Sequence, residues 1–215
     1  MKGDRIVLKE DYFKPAKAVV DLIEDKLTDK FVITIAGESG SGKSVLATTL
    51  NIVLADKQIP SFLIQQDDFF KLPPRTNHEN HKKDIHKNVG PQEVHLDKMQ
   101  GIIDAFRHDI DEITKPSVDY KLNIIDEEKI NIKLIKVLII EGTYTTLLNN
   151  VDLHIFMERT YKETFKDRMA RGREAFDPFI EQVLEIEHNI ISEHKINADI
   201  LFGVDFTLRK NITNQ

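Results

Sequence analysis

The sequence contains no cysteine among its 215 residues. Disulfide bonds, thiolate zinc sites and thiol nucleophiles are therefore excluded, and any metal must be bound by oxygen or imidazole ligands. The sequence also lacks a run of about 20 apolar residues, which a membrane-spanning helix needs. Its first residues, MKGDRIVLKEDYF, lack the apolar core of a secretory signal. We therefore expect a cytoplasmic protein that does not bind a membrane.

An excess of positive charge is also absent, because 30 Lys and Arg residues stand against 36 Asp and Glu residues, for a net charge of −6. A broad basic surface for nucleic acid is therefore not expected. A hydrophobic content of 40% and a charged content of 31% are typical of a globular chain long enough to bury one core. We expect a single domain over residues 1–215, with residues 1–30 as an N-terminal extension.

Short apolar runs alternate with helical patterns along the chain. The run FVITIA at residues 31–36 is almost wholly apolar and rich in β-branched residues, as expected of a strand buried on both faces. Similar patterns predict strands at residues 61–66, 137–141 and 152–157, and helices at 15–29, 43–57, 91–108 and 178–195. This alternation predicts βαβ units and an α/β fold of three layers with a parallel sheet.

Two segments interrupt this alternation. Residues 71–90 are polar and contain two prolines, and they are too long for an ordinary connection, so we predict a mobile flap over a substrate. Residues 117–134 predict a β-hairpin whose strands flank the acidic residues 126–128. The exposed face of this hairpin could pair two copies of the chain, so a homo-oligomer is a further expectation.

Two groups of side chains are not expected to take part in binding or catalysis. The histidines of residues 71–90 are not expected to bind a metal, because nothing in the sequence fixes their mutual geometry; they are His78, His81 and His86. Four phenylalanines are predicted to be core residues; they are Phe62, Phe156, Phe165 and Phe179.

The most specific pattern is GESGSGKS at residues 37–44, which matches G-x-x-x-x-G-K-[ST] between a predicted strand and a predicted helix. Its glycines let the backbone curl so that several N–H groups point at phosphate oxygens, and the helix adds the positive end of its dipole. Lys43 would reach the β- and γ-phosphates, and the Ser44 hydroxyl would bind Mg²⁺. The pattern predicts binding of ATP or GTP with Mg²⁺ through Gly37, Glu38, Ser39, Gly40, Ser41, Gly42, Lys43, Ser44 and Val45.

Acidic residues follow two of the predicted strands. Glu141 ends the strand at 137–141, and Asp67 and Asp68 follow the strand at 61–66. At the carboxyl edge of a parallel sheet such groups border the ligand crevice, where an acid can bind magnesium opposite the phosphate loop. Either aspartate could be a general base for a substrate hydroxyl or a magnesium ligand. Turn formation and helix capping are the alternative roles.

Three arginines lie within six residues at the end of a predicted helix: Arg168, Arg171 and Arg173. The guanidinium group is planar and permanently charged, so it stabilises charge spread over phosphoryl oxygens. We predict that residues 168–178 form a lid whose arginines close over the phosphates. A solvated basic helix end is the alternative.

These motifs, in this order, resemble the uridine kinase and phosphoribulokinase family from about residue 31 to residue 202. GESGSGKS is followed by QDDFF at 66–70, which is similar to the family's Q-D-S-F-Y. The other matches are PSVD at 116–119 with its P-x-x-D, EGTY at 141–144 with its E-G-I-L, the arginines of 168–173 with its lid, and ADIL at 198–201 with its A-D-V-I close.

The resemblance implies ATP-dependent phosphoryl transfer to a hydroxyl of a small molecule, with a nucleoside such as uridine or cytidine as the leading acceptor. By this resemblance Asp67 is the general base, and Ser44, Glu141 and Asp67 hold Mg²⁺. Lys43 and the lid arginines stabilise the transferring phosphoryl group.

The sequence departs from the family where the acceptor is recognised. Uridine kinases carry H-P-x-A-F-D where this chain has NVGPQEV at residues 88–94, and Val118 and Asn123 replace the hairpin aromatic and histidine. We predict acceptor contacts from Glu93, Asp119 and Tyr120. Two alternatives remain open: a kinase of a sugar phosphate, pantothenate or glycerate, and a nucleotide-binding switch without turnover. The absence of N-K-x-D argues against a GTPase.

Overall fold

A computed structural model describes residues 6–27, 30–171 and 177–212. The strands are β1 (Phe31–Gly37), β2 (Ser61–Gln65), β3 (Glu112–Asp119), β4 (Ile124–Asn131), β5 (Val137–Glu141), β6 (Leu153–Met157), β7 (Ile200–Phe202) and β8 (Leu208–Lys210). Six of them form one sheet in the order β2-β5-β1-β6-β7-β8, and all neighbours are parallel except β7 and β8. The predicted α/β fold with a parallel sheet is therefore confirmed, with β8 added as an antiparallel edge.

Helices cover both faces of this sheet. They are α1 (Phe13–Ile23), α2 (Lys43–Asp56), α3 (Pro74–Lys83), α4 (Ile85–Asn88), α5 (Leu96–Arg107), α6 (Phe165–Arg171) and α7 (Pro178–His194). Alternate residues of β1 enter two separate cores: Ile33 and Ile35 join the core under α1 and α2, whereas Val32 and Ala36 join the core under α5. Burial of successive residues on opposite faces explains why β1 is almost wholly apolar.

The N-terminal helix is shorter than its sequence pattern predicts. Helix α1 ends at Ile23 and continues as a 3₁₀ turn over Glu24–Lys26, while residues 28 and 29 lie outside the described part of the chain. Four of its buried side chains recur at helical spacing and pack on α2; they are Ala16, Val19, Val20 and Ile23. This packing places the residues that precede α1 beside the start of α2.

Residues 71–90, which we predict to form a flap over a substrate, are mostly helical. Pro74 occupies the first turn of α3, where its missing N–H costs no hydrogen bond. Helix α3 has no apolar face, and its buried residues are the polar Asn77 and His81. Buried hydrogen bonds hold this helix in place, so the sequence lacks the apolar periodicity that would reveal it.

The hairpin of β3 and β4 is present, but its turn lies earlier than predicted. The turn spans residues 120–123, where Asp119 Oδ1 accepts a hydrogen bond from Leu122 N at 2.9 Å and Asn123 adopts a φ of 58°. The acidic residues 126–128 lie within β4 instead. One face of this antiparallel pair meets solvent, so a strand can carry acids that resemble a turn in the sequence.

The predicted helix over residues 91–108 is also interrupted. It begins as a 3₁₀ turn over Pro91–Glu93, and α5 starts only at Leu96, because Val94 forms an antiparallel bridge with Phe70.

No helix in the described part of the chain combines the length and the apolar character that crossing a bilayer requires.

The four phenylalanines predicted to be core residues differ in burial. Phe156 is buried, and Phe62 and Phe179 are partly buried. Phe165 is 37% exposed, so its assignment to the core is wrong. It stands in the first turn of α6, where the Arg168 guanidinium lies 5.7 Å from its ring centre.

Candidate functional site

Three chain segments meet at the carboxyl edge of the main sheet. In the sheet register Glu141 lies beside Ile35 of β1 on one side and beside Gln65 of β2 on the other. The loop after β1 and the aspartates after β2 therefore leave the sheet on either side of Glu141. Parallel pairing alone brings these groups together, although about 100 residues separate Ile35 from Glu141.

The loop over residues 37–44 curls back on itself before α2. Gly40 and Gly42 have φ values of +76° and +103°, a left-handed conformation that side chains rarely adopt. The Glu38 carbonyl accepts hydrogen bonds from Ser41 N at 3.1 Å and from Lys43 Nζ at 3.2 Å. Helix α2 starts at Lys43, so its positive N-terminal end points into the loop. This arrangement is suited to an oligophosphate.

The glycine at residue 42 predicts a sharp mutational result. A Cβ atom there would lie 1.9 Å from the Tyr12 hydroxyl oxygen, and the left-handed backbone adds strain. We expect Gly42→Ala to lower the free energy of unfolding by about 1–3 kcal/mol and to weaken ATP binding measured by calorimetry.

The matched control for this substitution is Gly101→Ala in α5, where a Cβ atom would meet nothing within 4 Å. Because alanine favours a helix interior, we expect this control to be stabilised by about 0.5–1 kcal/mol. Equal melting temperatures for the two variants would contradict this account of the loop.

The side chain of Glu38 fixes the loop to its surroundings. It is 6% exposed, and its carboxylate accepts a hydrogen bond from Tyr161 N at 2.6 Å and contacts His188 Nδ1 at 2.7 Å. These contacts connect the loop to the segment after β6 and to α7. Within the predicted nucleotide-binding set, Glu38 therefore contributes its carbonyl to Lys43, while its carboxylate supports the loop.

The two aspartates after β2 have different environments. Asp68 is 4% exposed, and its carboxylate accepts hydrogen bonds from Lys115 Nζ at 2.9 Å and from Val118 N at 3.0 Å. Asp67 instead lines a cavity of about 640 Å³ together with Lys43 and Ser44. The sequence left both aspartates as candidates for a general base, and this geometry favours Asp67.

Glu141 is 3% exposed, and its burial raises the pKa of its carboxyl group above the usual value. The positive charge of Lys43 opposes this increase, whereas the negative charge of Asp67 adds to it. The Ser44 hydroxyl forms a hydrogen bond with this carboxyl group, and Gln65 Nε2 donates to Glu141 Oε1 at 3.2 Å. Hydroxyl and carboxylate oxygens are the ligands that Mg²⁺ prefers. A divalent cation would also offset the burial of Glu141 beside Asp67, so Ser44, Asp67 and Glu141 fit a magnesium ion.

The cavity of about 640 Å³, which we call the large cavity, extends from the phosphate loop to α3 and α7. Ser39, Gly40, Lys43 and Ser44 line one end, and Glu141 and Asp67 also line it. Side chains of α3, the hairpin turn and α7 line the opposite end. A molecule at that end would therefore lie next to the loop and to both acids.

A second cavity of about 290 Å³, the small cavity, lies on the other side of the loop. Gly42 and Val45 line it together with Tyr12 and Arg159. Arg159 donates from Nη2 to Asp167 Oδ2 at 2.9 Å and also bonds the Tyr12 hydroxyl. Burial raises the pKa of Tyr12 above its usual value, so this hydroxyl stays protonated.

Arg168 lies against the phosphate loop. A Cβ atom on Gly40 would meet Arg168 Cγ at 2.6 Å, and Arg168 Nη2 donates to Glu181 Oε1 at 2.7 Å. Its Nε and Nη1 atoms are buried and have no hydrogen-bond partner among the described residues. Such donors are suited to phosphate oxygens over the loop. Arg171 is the last residue of α6. Residues 172–176 of the predicted lid, which include Arg173, lie outside the described part of the chain.

The three predicted acceptor contacts have different positions. Tyr120 lines the large cavity, whereas Glu93 and Asp119 are not among its described lining residues. The Glu93 carboxylate accepts hydrogen bonds within the protein, and Asp119 caps the hairpin turn. In place of Glu93, its neighbours Asn77 and His81 line the cavity.

Three residues that line the cavities are not predicted from the sequence as site residues; they are Arg159, Asn77 and His81, of which the sequence suggests His81 only as a candidate metal ligand that we do not favour. Arg159 follows β6, so the rule that selected Asp67 and Glu141, a polar residue just beyond a parallel strand, would have found it. Asn77 and His81 are four residues apart and share one face of α3. Their spacing has meaning only once the segment is known to be helical.

A family model and individual relatives relate this chain to the same group of kinases. The model of the phosphoribulokinase / uridine kinase family matches residues 32–185. The chain is 30% identical over 191 residues to the bifunctional alpha-galactosidase/sucrose kinase of Mediterraneibacter gnavus, an alignment that covers 82% of this chain and 20% of that protein. It is 29% identical over 188 residues to the uridine kinase of Bacillus pumilus, with 79% and 84% of the two chains covered.

A solved structure shows the same fold. The phosphoribulokinase of Rhodobacter spheroides superposes with a TM-score of 0.63 at 13% identity, covering 82% of this chain and 71% of that one. The family match extends from β1 into α7 and includes the phosphate loop, Asp67, Glu141 and Arg168. The chain therefore belongs to the phosphoribulokinase/uridine kinase family of P-loop kinases.

Proposed function

We propose that this protein transfers the γ-phosphoryl group of ATP, with Mg²⁺, to a hydroxyl of a small metabolite. The observation that carries the proposal is that Lys43, Ser44, Asp67 and Glu141 line one cavity that also has room for a second molecule. Phosphoryl transfer needs the two reactants held in line and their charge neutralised, rather than covalent catalysis by the protein.

Each residue has a role that its surroundings support. Asp67 accepts the proton of the acceptor hydroxyl as that oxygen bonds to the γ-phosphorus and the bond to the β–γ bridging oxygen breaks, releasing ADP. Lys43 and Arg168 neutralise charge on the phosphoryl oxygens. Ser44, Asp67 and Glu141 would hold the Mg²⁺ ion, which supplies further neutralisation of phosphate charge when bound. Of the described residues of the predicted lid, Arg168 is the one that lies against the phosphate loop.

Two acceptors are candidates. A nucleoside such as uridine or cytidine follows from the similarity to uridine kinases. A saccharide follows from the similarity to the sucrose kinase of a bifunctional protein, of which this chain spans a fifth of the length. The replacement of the family's hairpin aromatic and histidine by Val118 and Asn123 removes the groups that contact a base, which favours the saccharide.

Product analysis tests the proposal. The protein is incubated with Mg-ATP and a panel of saccharides, nucleosides, glycerate and pantothenate, and phosphorus NMR detects any new phosphate ester. We expect one class of acceptor to be phosphorylated, and Lys43→Ala to lower kcat/KM by about 10²-fold or more. The control Lys57→Ala, at a lysine that pairs with Glu24 on the surface, should leave turnover unchanged. Slow ATP hydrolysis alone with every compound would support a nucleotide-binding switch instead.

A further inference from the structure

Helix α3 presents two nearly buried polar side chains to the large cavity, and the proposed transfer step uses neither. Asn77 and His81 are each 8% exposed, and both line the cavity. Glu93 lies behind them and is 7% exposed. Three polar groups buried this deeply at the wall of a cavity need hydrogen-bond partners, either from the protein or from a ligand.

Glu93 determines which atoms of its neighbours remain for a ligand. A carboxylate only accepts hydrogen bonds, so Asn77 turns its Nδ2 to Glu93 Oε2 at 2.7 Å, and His81 turns its Nε2–H to the same oxygen at 2.7 Å. Gly90 N donates to the other carboxylate oxygen at 3.0 Å. The atoms left over are Asn77 Oδ1 and His81 Nδ1, and neither forms a hydrogen bond with any described residue.

Asn77 Oδ1 is an acceptor, whereas the imidazole Nδ1 of His81 accepts or donates according to its protonation. A hydroxyl group both donates and accepts, so hydroxyl groups of a ligand suit both atoms at this wall of the cavity. A carboxylate or a phosphate, which offers only acceptor oxygens near neutral pH, would be repelled by Asn77 Oδ1.

The charge of the large cavity leads to the same conclusion. Histidines aside, its described lining residues carry two cations, Lys43 and Arg75, and four carboxylates, Asp67, Glu79, Glu141 and Glu187. Lys43 belongs to the phosphate loop, Asp67 and Glu141 would face the Mg²⁺ ion, and Glu79 pairs with Lys82 at 2.9 Å. At the acceptor end Arg75 and Glu187 then balance among the described lining residues, so an anionic acceptor would meet no excess of positive charge.

We propose that the acceptor is an uncharged polyhydroxyl compound, two of whose hydroxyls form hydrogen bonds with Asn77 Oδ1 and His81 Nδ1. Glu93 is a positioning residue that holds both side chains in the orientation that makes these hydrogen bonds. This inference rests on the proposed kinase function and names the class of its acceptor. A saccharide and the ribose of a nucleoside both supply such hydroxyls.

The first experiment compares kcat/KM for uncharged and anionic acceptors. The uncharged arm contains sucrose, fructose and uridine, and the anionic arm contains glycerate and fructose 6-phosphate. We expect the best uncharged acceptor to have a kcat/KM about tenfold or more above that of the best anionic acceptor. The comparison of the saccharides with uridine then shows which kind of compound supplies the hydroxyls. Preference for an anionic acceptor would overturn this inference alone, whereas transfer to no compound would overturn the proposed kinase function with it.

The second experiment measures KM for the preferred acceptor in variants of α3. Asn77→Leu should raise this KM about tenfold, since one hydrogen bond is lost, while kcat and the KM for ATP stay within about twofold because the contact is made equally before and during transfer. Asn80→Leu makes the same change on the same helix at a residue that is not among the described lining residues, and it should have no effect.

Glu93→Gln tests the positioning role separately. Its amide would turn an N–H group toward Asn77 or His81 and disturb the orientation of both, so we expect an increase in acceptor KM like that of Asn77→Leu. Melting temperatures verify that each variant folds. A folded Asn77→Leu protein with the KM of the wild type would overturn the inference.

Discussion

Asp67→Asn is expected to lower kcat by about 10²–10⁴-fold, the usual contribution of a general base. The amide keeps the size of the carboxylate but cannot accept the hydroxyl proton. Asp67 lines the large cavity together with Lys43 and Glu141. The affinity for ATP, measured by calorimetry, should change little, because the phosphate loop supplies most of the nucleotide contacts.

The adjacent residue provides a matched control. Asp68→Asn makes the same chemical change one position along the chain, but Asp68 is bonded to Lys115 and Val118 and is not among the described residues that line the cavity. We expect this variant to melt at a lower temperature while its folded fraction retains kcat near the wild-type value. A wild-type kcat in Asp67→Asn, or an equal loss in both variants, would remove Asp67 from the mechanism.

Lys115→Met is expected to produce the largest loss of stability. Lys115 is 5% exposed and bridges Asp68 of the segment after β2 to Glu128 of the hairpin, at 2.9 and 2.7 Å. Removing one member of a buried ion pair leaves the other charge buried without compensation, which costs about 3–5 kcal/mol. In a domain of this size that corresponds to a fall in Tm of about 10 °C.

Two controls separate this effect from the loss of any surface charge. Lys133→Met breaks an exposed pair with Asp111 and should leave Tm unchanged within error. The double variant Lys115→Met/Asp68→Asn removes both charges of the buried pair, and it should be less destabilised than the sum of the single variants. Additive effects would show that the two residues do not stabilise the protein as a pair.

The contact between Lys115 and Asp68 also has a consequence for the site. It holds the hairpin against the segment that contains Asp67, and Val118 and Tyr120 of the hairpin line the large cavity. Loss of the pair is therefore expected to raise the acceptor KM in the fraction that remains folded. The same hydrogen bonds that stabilise the hairpin thus shape the acceptor end of the cavity.

Local sequence determined the elements that are defined by backbone chemistry or by apolar burial. The phosphate loop is encoded by glycines at positions with left-handed backbone and by a lysine at the start of a helix, all within eight residues. The strands that are buried on both faces are apolar runs, and their parallel order follows from the helices between them. For these elements the physical cause lies within a few residues of its effect.

The tertiary structure alone decided which of two adjacent acids faces the cavity, because the choice depends on Lys115, 47 residues from Asp68. It also decided that residues 71–90 are helical, since α3 is held by Glu93 rather than by an apolar face. Partners distant in sequence also hold the hairpin turn, where Asn123 bonds to Arg75 and Thr76, and Arg168, which bonds to Glu181. Polar contacts between distant residues leave no periodic pattern in a single sequence, whereas apolar burial and backbone conformation do.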